Sequence, residues 1–136
     1  MSLKDINTKY CLHDCIIDKV EVESSKLIFY ISKGIYEKEL NTGEYKETGK
    51  CHILIEIDDF DEAQAYEHIS INVFRRNVRK NISFEKFCEL VLKRKFIIYL
   101  DFYSNFAKGL LIKGHSKKQE VELLITEIRD LQVIFS

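Results

Sequence analysis

The sequence predicts a single α+β domain spanning residues 1–136, with six or seven mostly antiparallel strands in a curved sheet or partial barrel and one amphipathic helix at about residues 83–93. Three observations support this. A chain of 136 residues falls within the ~100–200 residues of one domain. Several short segments alternate apolar and polar side chains, as strands do. A single segment has helical apolar spacing, and short turns flank it, which favours antiparallel pairing over βαβ units.

The first predicted strands form a hairpin. Residues 12–22 alternate around Val20 and Val22, and residues 26–32 are rich in β-branched and aromatic side chains. Two serines between these segments are predicted to make the turn. Residues 33–50 are polar and contain three of the five glycines, so they are predicted to form a long hairpin tip or loop.

Two strands with clear alternation follow. In residues 51–57, every second side chain is apolar, which predicts one buried face formed by Cys51, Ile53, Ile55 and Ile57. Residues 67–74 alternate in the same way. A charged connection precedes this second strand, and residues 75–80 are predicted to be a basic loop.

Ser83 is predicted to cap the helix, because its hydroxyl can accept a hydrogen bond from a free backbone N–H of the first turn. The apolar stripe of the helix consists of Phe84, Phe87, Leu90 and Val91. We expect Phe87 and Leu90 to be buried against the sheet. The charged Lys86 and Glu89 should remain in water.

The last third of the chain is predicted to be strands. Residues 96–103 are apolar enough to be buried on both faces, and residues 107–114 form the next strand. Residues 119–135 alternate in two halves whose parity differs, which predicts a strand with a β-bulge near residues 126–130. The competing interpretation is a helix over residues 124–134. We favour the strand.

The net charge of −1 is unevenly distributed along the chain. Residues 1–68 hold 8 Lys/Arg and 15 Asp/Glu, a balance of −7, while residues 69–136 hold 13 and 7, a balance of +6. We expect the two halves to interleave and neutralise each other. A basic stretch of Arg75, Arg76, Arg79 and Lys80 raises the question of nucleic acid, but a pI of about 6.4 argues against a nucleic-acid binder.

The four cysteines are expected to be free thiols in a cytoplasmic protein. The N-terminal segment lacks the apolar core of a signal peptide, which would mark an oxidising compartment. No apolar run approaches the ~18 residues needed to span a bilayer, so we expect no membrane association.

Cys11, His13 and Cys15 would share one side of a strand and carry the side chains that zinc prefers. Their spacing does not match that of structural zinc sites, so we predict no metal. His13 and Asp14, as neighbours on a strand, would face opposite ways and could not act as an acid–base pair. A turn stabilised by Asp14 is the alternative. Phosphate-binding glycine motifs and nucleophile elbows are absent, so we predict no cofactor and no catalytic residue.

The densest charged segment is acidic, and it is the predicted partner-binding site. Four carboxylates fall within five positions: Asp58, Asp59, Asp61 and Glu62. Like charges this close repel one another unless they are solvated or matched by a partner. A basic protein surface would match them and would be steered toward them electrostatically.

The segment Leu12-His13-Asp14-Cys15-x-Ile17, followed by the strand Leu27-Ile28-Phe29-Tyr30, resembles the opening of several small bacterial β-rich families. Some of these resemble immunity proteins of polymorphic toxin systems. The resemblance covers about the first 30 residues, and Cys15 stands where serine is common. It implies a non-enzymatic binder.

We therefore predict a non-catalytic bacterial protein-binding or adaptor domain, immunity-like in character, whose partner is a protein with a basic surface. The alternative is a half-barrel that binds a small ligand in the apolar mouth between a curved sheet and its helix. An enzyme or a nucleic-acid binder is a weaker fit to the sequence. No oligomeric state is predicted.

Overall fold

A computed structural model describes residues 9–23, 26–57, 68–104 and 106–136. Within these ranges the chain forms thirteen strands and one helix: β1 (Tyr10–Cys11), β2 (Ile16–Ile17), β3 (Lys19–Glu23), β4 (Lys26–Ile31), β5 (Tyr36–Lys38), β6 (Tyr45–Glu47), β7 (Cys51–Ile57), β8 (Ile69–Arg75), β9 (Val78–Asn81), α1 (Phe84–Arg94), β10 (Phe96–Ser104), β11 (Gly109–Ser116), β12 (Gln119–Ile125) and β13 (Ile128–Phe135).

All strand pairs are antiparallel, so the predicted α+β class with a single helix is confirmed for the described residues. The number of strands and their arrangement were predicted wrongly. The thirteen strands form a six-stranded sheet (β2-β10-β11-β12-β8-β9), a four-stranded sheet (β13-β7-β4-β3) and a three-stranded sheet (β1-β5-β6), rather than one curved sheet or partial barrel.

Three of the six additional strands, β5, β6 and β9, come from segments predicted to be loops. Residues 12–22 and 119–135 each form two strands instead of one, and β1 was not predicted. Residues 33–50 contain the hairpin β5–β6, and the basic residues 75–80 contain the turn and most of the second strand of the hairpin β8–β9. Its turn at Arg76 and Asn77 has positive φ angles of 52° and 66°, which match the twist of a tight hairpin. The predicted hairpin β3–β4 is confirmed.

The six- and four-stranded sheets contribute to one hydrophobic core. β7 alternates buried and half-buried side chains as predicted, and the inward-facing apolar side chains of β8, β11 and β12 are buried in the same cluster. Burying one aliphatic or aromatic side chain of this size contributes roughly 1.5–3 kcal/mol. The largest fully buried side chains include Phe29, Phe87, Phe96, Ile53, Ile55 and Ile57.

The chain crosses from the six-stranded to the four-stranded sheet between β12 and β13. The Thr126 N–H donates to the His68 carbonyl at 2.8 Å, and Glu127 adopts a positive φ of 56°. Residues 119–135 are therefore strands, and the helical alternative is wrong. The single bulged strand is also wrong, because its two halves belong to different sheets, although a register shift between Ile128 and Asp130 does place an irregularity in the predicted region.

Helix α1 packs on β3, β8 and β11. The Ser83 hydroxyl accepts a hydrogen bond from the Lys86 N–H at 3.2 Å, which confirms the predicted cap. Phe87 is fully buried, and its ring meets Phe96 edge-on with centroids 5.8 Å apart. Leu90 is only half-buried, whereas Lys86 and Glu89 are exposed as expected.

Strand β10 differs from its prediction. It was expected to be buried on both faces, but Tyr99, Leu100 and Phe102 are exposed. The register with β11 shifts between Ile98 and Leu100, so Tyr99 is an extra residue in a bulge. One face of β10 lies on the core, while the other belongs to the outer face of the six-stranded sheet.

Candidate functional site

The four predicted partner-binding carboxylates, Asp58, Asp59, Asp61 and Glu62, lie outside the described residues. The described residues that flank their segment are Ile57, at the end of β7, and His68, just before β8. The role of these carboxylates therefore stays a prediction.

Residues 12–15 form a tight turn rather than a strand. The Cys15 N–H donates to the Leu12 carbonyl at 3.0 Å, and Asp14 has a positive φ of 66°. The turn directs two neighbouring side chains toward each other, so that His13 Nδ1 lies 3.2 Å from Asp14 Oδ2. The expectation that these residues face opposite ways is wrong, because it assumed a strand. The alternative of a turn at Asp14 agrees with the observed backbone.

The chemistry around this turn is limited. Burial raises the pKa of the Asp101 carboxyl, and the Leu12 N–H and the nearby His13 partly oppose that rise. Burial also raises the pKa of the Cys15 thiol to about 12, so it is not a thiolate at neutral pH. The turn thus presents an exposed acid–base pair beside a thiol that is a poor nucleophile. Among the described residues, no three His, Cys, Asp or Glu side chains are placed to hold a metal ion.

The outer face of the six-stranded sheet carries an exposed row of apolar side chains. Phe102, Leu111 and Leu124 are cross-strand neighbours on β10, β11 and β12. Phe102 is 57% exposed and Leu124 is 39% exposed, and Leu111 is half-buried between them. Leu100, two residues before Phe102 on the same face, is 42% exposed. We call Leu100, Phe102, Leu111 and Leu124 the apolar patch.

Polar and aromatic groups continue along the same outer face. Lys113 and Glu122 form a cross-strand ion pair with Nζ and Oε2 3.6 Å apart. The Tyr99 ring in the bulge stacks over His115, with centroids 6.4 Å apart. Exposed ion pairs of this kind contribute ~0–1 kcal/mol, so their main effect is to make this part of the face polar.

The far end of this sheet is strongly basic. The turns of the hairpins β8–β9 and β11–β12 lie side by side, because β8 and β12 are paired neighbours. Arg75, Lys117, Lys118 and Gln119 line a shallow groove of about 400 Å³ between them. We call the six exposed cations of these hairpins the basic tip: Arg75, Arg76, Arg79, Lys80, Lys117 and Lys118. None of the six forms an ion pair with another described residue.

A larger open groove of about 930 Å³ lies beside the hairpin β5–β6. Charged side chains of both signs line it, among them Lys9 and Glu37, together with the exposed Leu40 and Phe135. This groove is outside the core, since the side chains between the two larger sheets are packed into one buried cluster.

The apolar patch is not evident from the sequence, because the apolar run around Leu100 and Phe102 predicts a strand that is buried on both faces. The neighbouring strands carried the contrary signal. Lys113 and Glu122 occupy the same face one row away, and charged residues in paired strands indicate that the face is open to water.

Comparisons with protein families, curated proteins and solved structures find no match to this chain. The described part of the chain contains no helix that is long and apolar enough to cross a bilayer.

Proposed function

We propose that this chain is a non-catalytic binding module that docks a protein partner on the outer face of the six-stranded sheet. The observation that carries this proposal is the apolar patch. Three of its side chains are 39–57% exposed in neighbouring positions of a regular sheet. Contiguous exposed apolar surface on a folded domain commonly marks a protein interaction site.

The surroundings of the patch support a protein as the occupant. Protein interfaces combine an apolar centre with a polar and charged rim in which arginine is enriched. Here the patch is followed by the ion pair Lys113–Glu122 and then by the three arginines of the basic tip. A rigid sheet also holds its side chains in place before binding, which reduces the entropy lost on association.

An adaptor or immunity-like role in a bacterial cytoplasm is the form of this proposal that the N-terminal resemblance favours. The proposal includes a contact between a basic surface of the partner and the four carboxylates Asp58, Asp59, Asp61 and Glu62. Ile57 and His68, which flank that acidic segment, lie at the end of their strands opposite the basic tip.

Among the described residues, a small ligand would have room in the groove beside β5–β6, which is not the mouth between a curved sheet and its helix that the sequence predicts. The groove's volume of about 930 Å³ is in the range of small-molecule sites. Such sites are mostly apolar and enclosed, whereas this groove is open and lined by lysines and glutamates. The protein-binding proposal therefore has the better support.

The test is capture of a partner followed by reconstitution from purified components. Extract of the source cells is passed over immobilised wild-type protein and over a variant carrying Phe102→Ser and Leu124→Ser. The control carries Leu40→Ser and Leu92→Ser, which remove two exposed apolar side chains elsewhere. Circular dichroism melting verifies that all three proteins fold.

We expect a purified partner to bind the wild type and the control equally, and to bind the patch variant at least about tenfold more weakly, which corresponds to ~1.4 kcal/mol. The proposal fails if no captured protein binds the purified wild type. It also fails if the patch variant binds as tightly as the control.

A further inference from the structure

We infer that the basic tip recognises an acidic region of the protein partner and so fixes the orientation in which the partner docks. This inference rests on the proposed function and adds the chemistry of the partner. It starts from the six cations of the basic tip, which are exposed and have no ion-pair partner among the described residues.

The fold brings these cations together from two separate stretches of sequence. Arg75 to Lys80 come from one hairpin, and Lys117 and Lys118 from another, and neighbouring strands of a sheet are only ~4.8 Å apart. Like charges this close raise each other's energy. An acidic partner surface would replace that repulsion with attraction and would accelerate association.

The surface between the tip and the patch favours an acidic protein over a nucleic acid. Glu120 and Glu122 lie on the same outer face as Phe74 and Asn72, next to the tip. These carboxylates would repel a regularly spaced phosphate backbone. A protein surface can place its own cations against them, and it can also supply apolar side chains for the patch, which a phosphate backbone cannot.

The two regions are far enough apart to determine direction. Leu124 of the patch and Gln119 beside the tip are five residues apart on β12, or roughly 17 Å at ~3.4 Å per residue. A partner with neighbouring acidic and apolar regions fits this face in one direction only, because the reverse would place carboxylates on the apolar patch and leave the cations unmatched.

The test uses labelled probes and fluorescence anisotropy at about 50 and about 200 mM salt. The main probe is a peptide of about 12 residues, half glutamate and half leucine and phenylalanine, which in extended form spans both regions. The comparison probes are an all-glutamate peptide and a thymidine oligonucleotide of equal length. The test variant carries Arg75→Gln, Arg76→Gln, Lys117→Gln and Lys118→Gln. The matched control carries Lys33→Gln, Lys50→Gln, Lys86→Gln and Lys93→Gln, which are also exposed and have no ion-pair partner among the described residues.

We expect the mixed peptide to bind the wild type and the control at least about tenfold more tightly than the test variant, and to weaken with salt. It should also bind more tightly than the all-glutamate peptide. Equal affinity for the test variant and the control overturns the inference, as does an oligonucleotide that binds more tightly than the mixed peptide. If the test variant still binds the reconstituted partner at full affinity, the inference fails while the proposed function stands.

Discussion

Burial determines the reactivity of individual thiols in this protein. The Cys15 sulphur is buried and lies 3.8 Å from two backbone carbonyls, those of Cys11 and His13. Its pKa is raised from 9.0 to about 12, chiefly by loss of solvent. The thiolate is the reactive form of cysteine. Burial therefore makes the Cys15 thiol unreactive in the folded protein.

We predict that iodoacetamide at about pH 8 labels Cys15 in the folded protein at least about a hundredfold more slowly than in the unfolded protein, because burial shields the sulphur and raises its pKa to about 12, which leaves little thiolate. Peptide mass spectrometry after timed quenching measures the rate. The half-buried Cys11 serves as the internal comparison. Equal labelling rates for Cys15 in the folded and the denaturant-unfolded protein would contradict the prediction.

The Asp101 carboxyl makes stability depend on pH. Its pKa is raised in the folded state by burial, so the folded protein holds this proton more tightly than the unfolded chain. The stabilising contribution of Asp101 is therefore fully present below the ordinary carboxyl pKa of 3.8. This contribution is lost as the pH rises through the pKa of Asp101 in the folded protein.

We predict that Asp101→Asn removes this contribution to the pH dependence and leaves the protein at least as stable as the wild type at neutral pH. The amide oxygen can still accept the hydrogen bond from Leu12. Urea denaturation at a series of pH values gives the free energy of unfolding of both proteins. The prediction is wrong if the difference between them is constant across that series, or if the variant is the less stable protein at neutral pH.

The backbone conformation of Asp14 is not determined by its own sequence neighbourhood. Its positive φ reverses the chain so that the His13 and Asp14 side chains meet. Aspartate is compatible with a strand edge and with a left-handed turn. The choice between them is made by the Asp14 N–H donating to the Ile98 carbonyl at 2.7 Å, a contact between residues far apart in the sequence.

At the scale of elements, helix α1 is anchored in the core by Phe87 and Val91, which are both fully buried. Phe87 is fully buried and packs edge-on against Phe96. By contrast Leu92, on the same helix, is 66% exposed. Phe87 and Leu92 therefore allow a comparison of buried and exposed truncations that share the same backbone conformation.

We predict that Phe87→Ala lowers the free energy of unfolding by ~3–5 kcal/mol, because the ring is fully buried and its removal leaves a large cavity. Leu92→Ala should change it by less than ~0.5 kcal/mol. Both values come from denaturant melts followed by circular dichroism. A loss below ~1 kcal/mol for Phe87→Ala would mean that this helix is not needed to cover the core.

The elements predicted from sequence are those with a buried face. Strands β7 and β8 and helix α1 each have apolar side chains at the spacing of their own geometry. Strands β6 and β9 were missed because every residue in them is exposed, so burial imposes no pattern on their sequence. They exist through backbone pairing with a neighbouring strand, which composition does not report.

At the scale of the whole molecule, the two larger sheets share one core and are linked covalently more than once. The chain passes from β2 into β3 at Asp18, and from β12 into β13 at Thr126 and Glu127. Neither sheet can lose its inner packing without exposing the other.

We predict a single cooperative unfolding transition. Ile55→Val in the four-stranded sheet and Ile112→Val in the six-stranded sheet should each lower the same denaturant midpoint, with losses of ~0.5–1.5 kcal/mol. Tyrosine fluorescence and circular dichroism should report coincident curves. Two separate midpoints, or a mutation that moves only one probe, would contradict the prediction.

The charge distribution was only partly predictable. The opposite balances of the two halves are visible in the sequence, and they were expected to neutralise each other. Among the described residues, six cations of the second half meet at the basic tip and form no ion pairs. Their meeting depends on the pairing of β8 with β12, strands that are separated along the chain by the helix and three other strands. The acidic segment of the first half lies outside the described residues, so the neutralisation of the two halves stays a prediction.

The pairing of strands that are distant in the sequence has a consequence for biosynthesis. Strand β2 pairs with β10, and β7 pairs with β13. In both cases the paired residues are about 80 positions apart in the sequence. While the chain emerges from the ribosome, β7 therefore has an unpaired edge until residues 128–135 are released. An exposed strand edge on an unfinished chain invites association with other nascent chains. Ribosome-bound chains ending before Ile128 should accordingly recruit chaperones, and they should release them once β13 has been synthesised.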